Sequence, residues 1–120
     1  MNTHEDRAVD YVEHIIGAID RIEIYTSGLD EAQFLANGLV QDGVIRQLLV
    51  IGEASNRLAR QCPEFSAAHP EVKWRSAYET RNKLVHGYAT IDLDIVWKIV
   101  VKELKPLRAQ MQALLDNLRG

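Results

Sequence analysis

Hydrophobic residues recur every three or four positions along most of the chain, which is the spacing of one face of an α-helix. The first such run joins five positions: Val12, Ile15, Ile16, Ile19 and Ile22. Thr3 precedes this run as a suitable helix cap, and the acidic residues that follow it favour the positive end of a helix dipole. The pattern predicts a first helix over about residues 4–26.

Two further helices follow from the same kind of pattern. Asp30 and Gln33 have the spacing of a capping box, which predicts a short helix that continues through Leu35. After the breaker "NGL", apolar residues again share one face: Val44, Leu48, Ile51, Ala54 and Leu58. We therefore expect a third helix over about residues 39–61, and "CPEF" should end it because proline cannot continue a helix.

The second half of the chain predicts two more helices. "SAAHPEVKW", residues 66–74, should be a loop that leads into a fourth helix starting between Pro70 and Trp74. This helix should end at His86, because Gly87 can adopt the left-handed conformation that closes a helix. The last apolar series predicts a fifth helix over about residues 92–118, in which Pro106 should cause a bend. Its members are Val96, Val100, Leu104, Leu107, Met111, Leu114 and Leu118.

These elements predict an all-α fold. Four substantial helices and one short helix, joined by short loops, favour an antiparallel four-helix bundle with one extra short helix. No segment has a β-strand pattern of comparable strength. The length of 120 residues suits one compact domain, so residues 1–120 should form a single helical domain.

Charge and composition limit the function. A net charge of −3 and a pI near 5.8 argue against a general basic surface for nucleic acid, so any RNA contact should be local. Cys62 is the only cysteine, which excludes an intramolecular disulfide. Neither a signal peptide nor a membrane span is apparent, so we expect a soluble, cytoplasmic protein. There is no glycine-rich phosphate loop or pair of histidines at metal-ligand spacing, so no cofactor or metal is expected.

Candidate chemistry concentrates in "RNKLVHGY", residues 81–88, at the end of the predicted fourth helix. Arg81, His86 and Tyr88 can converge there because the chain leaves the helix at His86. A purely structural interpretation is also open, in which His86 interacts with the helix dipole, Arg81 is solvated and Tyr88 packs on the bundle.

This motif, together with "IGEASNRL", Trp74 and "HGYATIDLDIVWKIV", resembles the HEPN-domain family, and most closely its HepT-like toxins. The resemblance extends over nearly the whole chain. It implies the toxin of a toxin–antitoxin pair, a metal-independent endoribonuclease with Arg81 and His86 as its catalytic pair. A histidine can move the proton of the ribose 2′-hydroxyl and an arginine can hold the phosphate, while Asn82 would have a supporting role.

The resemblance also implies partners. In HepT-like toxins a nucleotidyltransferase of the MNT type transfers AMP to the motif tyrosine, here Tyr88, and two subunits pair so that their motifs face a shared cleft. The "LLVI" run at 48–51 is compatible with a homodimer interface, and equally with a helix buried on several sides of one subunit. Two alternative functions are a non-catalytic helical module that docks a nucleotidyltransferase and a helical dimer with only structural duties.

Overall fold

The computed structural model describes residues 4–72 and 91–119. Within these ranges the chain forms six helices and no strand, which confirms the predicted all-α class. The helices are α1 (His4–Thr26), α2 (Glu31–Leu35), α3 (Gly38–Gln61), α4 (Pro63–Ala68), α5 (Leu93–Lys102) and α6 (Leu104–Arg119). None of these described helices is long and apolar enough to cross a membrane.

The first three helices begin and end close to the predicted positions. At the start of α2, Asp30 Oδ1 accepts a hydrogen bond from the Gln33 amide at 2.8 Å, and Gln33 Oε1 accepts one from the Asp30 amide at 3.0 Å. The predicted capping box is therefore confirmed. Between α1 and α2 the chain turns at Gly28, whose φ of +76° is easily reached only by glycine.

The predicted loop over residues 66–74 is wrong at its start, because α4 continues to Ala68. Pro63 ends α3 but also occupies the first turn of α4, where its missing amide proton costs nothing and its fixed φ favours a helix. The Ser66 hydroxyl donates a hydrogen bond to the Pro63 carbonyl at 3.2 Å, within the same short helix. Residues 70–72 form a turn and a bend, and the rest of the predicted fourth helix lies outside the described residues.

The predicted fifth helix is two helices, α5 and α6, separated at Glu103. Pro106 is the third residue of α6, and in a continuous helix its ring would clash with the carbonyl group four residues earlier, at Lys102. Hydrogen bonds continue on both sides of the break: the Glu103 amide donates to Ile99 at 2.9 Å, and the Leu107 amide donates to Glu103 at 3.1 Å. The expected bend is thus a local interruption upstream of the proline.

Helix α1 lies between α3 and α6 and is antiparallel to both. Near its start the Tyr11 hydroxyl donates to Gln61 Oε1 at 2.7 Å, whereas near its end the Tyr25 ring packs on Gly43. Along α6 the order is likewise reversed. Asp20 of α1 binds Arg108, and Glu13, closer to the start of α1, binds Arg119.

The core is built from the inward faces of these helices. Phe34 of the short helix α2 is fully buried, and its ring centre lies 5.1 Å from that of Trp97 in α5. This contact ties α2 and α5 to each other, since aromatic pairs at such distances attract beyond their buried area. The other fully buried large side chains include Val12, Ile15, Ile22, Val44, Leu58, Val96 and Met111.

Candidate active site

The four predicted site residues, Arg81, Asn82, His86 and Tyr88, lie outside the described residues. Their proposed roles therefore remain predictions. The structure does describe the two places from which the chain enters and leaves the motif segment, residues 73–90. We call the entry, His69 to Val72, the first flank, and the exit, Ile91 and Asp92, the second flank.

The first flank is fixed to the bundle. Val72 is buried, and its amide donates a hydrogen bond to the His69 carbonyl at 3.2 Å. The Glu71 carbonyl accepts a hydrogen bond from Gln110 Nε2 of α6 at 3.2 Å. His69 also lies against Phe65 of α4, with ring centres 4.7 Å apart. The segment that carries the motif thus begins from an anchored position between α4 and α6.

The second flank is fixed by a helix cap. Oδ1 of Asp92 accepts hydrogen bonds from the amides of Asp94, at 3.0 Å, and Ile95, at 3.4 Å, which satisfies free donors in the first turn of α5. Ile91 is half-buried and packs against the hydrophobic core. Both ends of the motif segment are therefore held by described parts of the bundle.

The second stretch of the family resemblance, "IGEASNRL" at 51–58, belongs to the middle of the bundle. Ser55 and Gly52 are buried in α3 beside apolar neighbours, whereas Glu53 and Arg57 form an exposed ion pair with Nε and Oε1 3.0 Å apart. An exposed pair of this kind adds little stability. This stretch of α3 therefore has one buried side that packs in the bundle and one charged side that faces solvent.

Sequence reasoning missed a buried polar group in α3. Gln47 is only 5% exposed, and its side-chain oxygen has no hydrogen-bond partner within residues 4–72 and 91–119. Leaving such an acceptor buried and unpaired costs about 1–3 kcal/mol. Its burial could have been inferred from its position three residues after Val44 and four before Ile51, on the same helical face.

Three titratable groups in the described ranges have a pKa shifted by their surroundings: Asp20, its partner Arg108, whose pKa the same contact raises, and Cys62. Hydrogen bonds from Arg108, at 2.6 and 3.2 Å, hold the pKa of the Asp20 carboxyl below its usual range, against a smaller opposing effect of burial. Burial raises the pKa of the Cys62 thiol, and the charge of Arg7 partly offsets this. These ranges contain no group of three or more His, Cys, Asp or Glu residues arranged to hold a metal ion.

The all-α fold and the sequence around "RNKLVHGY" place the protein in the HEPN class. A family model described as "Ribonuclease HepT-like" matches residues 15–114. The chain therefore belongs to the HepT-like ribonuclease family, as its motif predicted.

Named relatives agree with this assignment. A protein named "Probable ribonuclease HepT" from Thermococcus cleftensis is 36% identical over 105 residues, which is 88% of this chain and 93% of the relative. A protein named a "Putative RNase" from Caldanaerobacter subterraneus subsp. tengcongensis is 29% identical over 89% of this chain and 93% of its own length. No solved structure matches the chain significantly.

Proposed function

We propose that this chain is the toxin of a toxin–antitoxin pair and acts in the cytoplasm as a metal-independent endoribonuclease. The observation that carries this proposal is the family match over residues 15–114, which includes the complete "RNKLVHGY" motif. The names of the relatives, which describe ribonucleases, support the same reaction class.

The proposed reaction uses His86 as a general base and Arg81 to bind the phosphate. His86 takes the proton of a ribose 2′-hydroxyl, and the 2′ oxygen attacks the adjacent phosphorus. The bond from phosphorus to the 5′ oxygen then breaks, and that oxygen takes a proton from the protonated imidazole or from water. Arg81 donates hydrogen bonds to the phosphate oxygens as their negative charge grows, and Asn82 assists by orienting His86 or by binding a phosphate oxygen.

A homodimer would supply the positive charge for RNA binding that one subunit lacks. The chain carries a net charge of −3, which makes an isolated motif with one arginine a weak site for a polyanion. Two motifs facing one cleft would place two arginines and two histidines along the same RNA strand.

Tyr88 provides the proposed means of neutralisation. A partner nucleotidyltransferase of the MNT type transfers AMP to the Tyr88 hydroxyl, with release of pyrophosphate from ATP. The added phosphate would then occupy the position that Arg81 offers to RNA, and it would block substrate by both charge and bulk.

The catalytic proposal is tested with purified Arg81→Ala and His86→Ala variants on RNA in the presence of EDTA. Each change should reduce cleavage about a hundred- to ten-thousand-fold, the usual loss for a positioned acid–base group. Matched controls, Arg21→Ala and His4→Ala, remove the same residue types elsewhere and should cleave normally. Wild-type activity in either motif variant, with unchanged helicity by circular dichroism, would overturn the assignment of that residue as catalytic. A folded wild-type chain that does not cleave RNA would favour the non-catalytic docking module.

The neutralisation proposal is tested by co-expression with a cognate nucleotidyltransferase of the MNT type. Intact mass spectrometry should show one or more AMP units on the wild-type protein, and growth arrest should disappear. Tyr88→Phe should remain toxic and carry no adduct, whereas Tyr11→Phe should behave as wild type. A Tyr88→Phe protein that the partner still silences fully would contradict modification and indicate inhibition by complex formation.

A further inference from the structure

One face of α3 points away from the core and carries a regular set of charges. This outer stripe consists of Asp42, Arg46, Leu49, Val50, Glu53 and Arg57. Spacings of three, four and seven residues keep all six on one side of the helix. Asp42, Arg46 and Arg57 are exposed, and the two apolar residues between them are half-buried.

The charges of the outer stripe are arranged symmetrically about its centre and have opposite signs. Arg46 lies three residues before Leu49, and Glu53 lies three residues after Val50. Asp42 lies seven residues before Leu49, and Arg57 lies seven residues after Val50. A helix with this pattern is complementary in charge to a copy of itself that runs in the opposite direction.

We propose that the outer stripe is the contact between two copies of this chain, with the two α3 helices packed antiparallel and a two-fold axis beside Leu49 and Val50. In this register Arg46 is level with Glu53 of the second copy, and Asp42 is level with Arg57 of the second copy. Each charge pair occurs twice, as an isologous interface requires.

A groove beside the stripe extends the same surface. It encloses about 490 Å³ between α1 and α3, with Tyr11 and His14 on the α1 side. Its α3 side consists of outer-stripe residues together with Ala54. A helix packed on the outer stripe would cover this groove, and α3, at about 36 Å for its 24 residues, is long enough for an extended contact.

The charges favour a second copy of the chain over RNA. The outer stripe contains two acidic and two basic side chains, so its net charge is zero. A surface that binds phosphates needs an excess of Lys and Arg, because each carboxylate on it repels the backbone of the nucleic acid. Arg46 has no ion-pair partner within the described ranges, so it is available for a carboxylate of the second copy.

This inference rests on the proposed homodimer and adds its location and register. The test is the mass of the full-length chain by sedimentation at micromolar concentration. The wild type should sediment at about 27 kDa, twice the chain mass of 13.6 kDa. Glu53→Arg should shift the mass to that of the monomer, because it places two arginines level with each other at both ends of the contact. The double variant Arg46→Glu/Glu53→Arg should restore the dimer.

Asp116→Arg, an equal charge reversal on the exposed side of α6, is the matched control and should remain dimeric. Both α3 variants lose the same internal contacts of Glu53, including its ion pair with Arg57, so the comparison between them reports the contact between copies. Circular dichroism checks that each variant is folded.

The outcomes separate the two proposals. A wild-type monomer would overturn the homodimer itself, whatever its interface. A wild-type dimer that persists in Glu53→Arg, or that the double variant fails to restore, would overturn only the outer stripe as the contact. A dimeric Arg46→Glu variant whose affinity for single-stranded RNA falls would assign the stripe to RNA and contradict the inference.

Discussion

The inner and outer faces of α3 differ in burial and in charge. Its inner face is apolar and buried, with Val44, Leu48 and Leu58 almost fully removed from solvent. Its outer stripe is half-buried to exposed and carries alternating charges, among which Glu53 and Arg57 form a weak ion pair. The spacing of apolar residues is enough to identify the inner face, whereas the outer stripe becomes informative only when the structure shows which charges lie together. The inner face stabilises the fold, and the outer stripe is the face that we propose as the contact with a second copy.

The largest expected difference between the faces is in core packing. Leu58 is fully buried, so Leu58→Ala should lower the free energy of unfolding by about 2–5 kcal/mol through lost burial and a cavity. Leu39→Ala, at a position 85% exposed near the start of the same helix, is the matched control and should change it by less than about 0.5 kcal/mol. Urea unfolding at one fixed protein concentration measures both. Equal losses would contradict the assigned orientation of α3.

A smaller change in the free energy of unfolding, of opposite sign, is expected when Gln47 on the inner face is replaced. Gln47→Met keeps a long flexible side chain and removes the buried unpaired oxygen, so stability should increase by about 1–2 kcal/mol. Gln112→Met, which removes an amide that donates to Asp116 at 3.0 Å on the surface, should give no such gain. Thermal unfolding distinguishes the two. A destabilised Gln47→Met protein would show that the amide has a partner in the native state.

The smallest expected change in stability concerns the Asp20–Arg108 ion pair between α1 and α6. Because the folded pKa of Asp20 lies below its unfolded value, near 3.9, the pair with Arg108 stabilises the fold above that pH. This stabilisation is lost as the pH falls through the folded pKa. The pair is more than one-third exposed, so Asp20→Asn should cost at most about 1 kcal/mol at pH 7.

Urea unfolding at pH 7 and at successively lower pH tests this dependence. The difference between Asp20→Asn and the wild type should shrink below about pH 4. A difference that stays constant down to pH 2 would rule out the ion pair as its cause.

Apolar periodicity and capping residues predicted much of this fold. The ranges of α1 and α3 and the Asp30 capping box follow from local sequence, because those helices combine a continuous apolar face with a clear cap. Helix α4 was not predicted, because Pro63 both ends one helix and is a favourable first residue for another. The break at Glu103 lies upstream of Pro106, because a proline ring cannot fit against the carbonyl group four residues earlier in a continuous helix. The burial of Gln47 follows from its place on the inner face of α3, but its lack of a hydrogen-bond partner within the described residues depends on how α3 packs.

The candidate site was predicted differently from the fold. Residue types and spacing alone left a structural interpretation of "RNKLVHGY" open, and only the wider resemblance favoured a catalytic one. The family match confirms that resemblance. The individual roles of Arg81, Asn82, His86 and Tyr88 depend on side-chain geometry that the described residues do not contain, so they remain predictions.

The chemical ends of the cleaved RNA test the central claim most directly. If His86 activates the ribose 2′-hydroxyl, a synthetic RNA cut by the purified chain in EDTA should yield a 5′-hydroxyl end and a 2′,3′-cyclic phosphate or its hydrolysed product. Mass spectrometry of the fragments identifies these ends, and His86→Ala should produce neither. Fragments with a 5′-phosphate and a 3′-hydroxyl, or cleavage that requires added magnesium, would contradict the proposed mechanism.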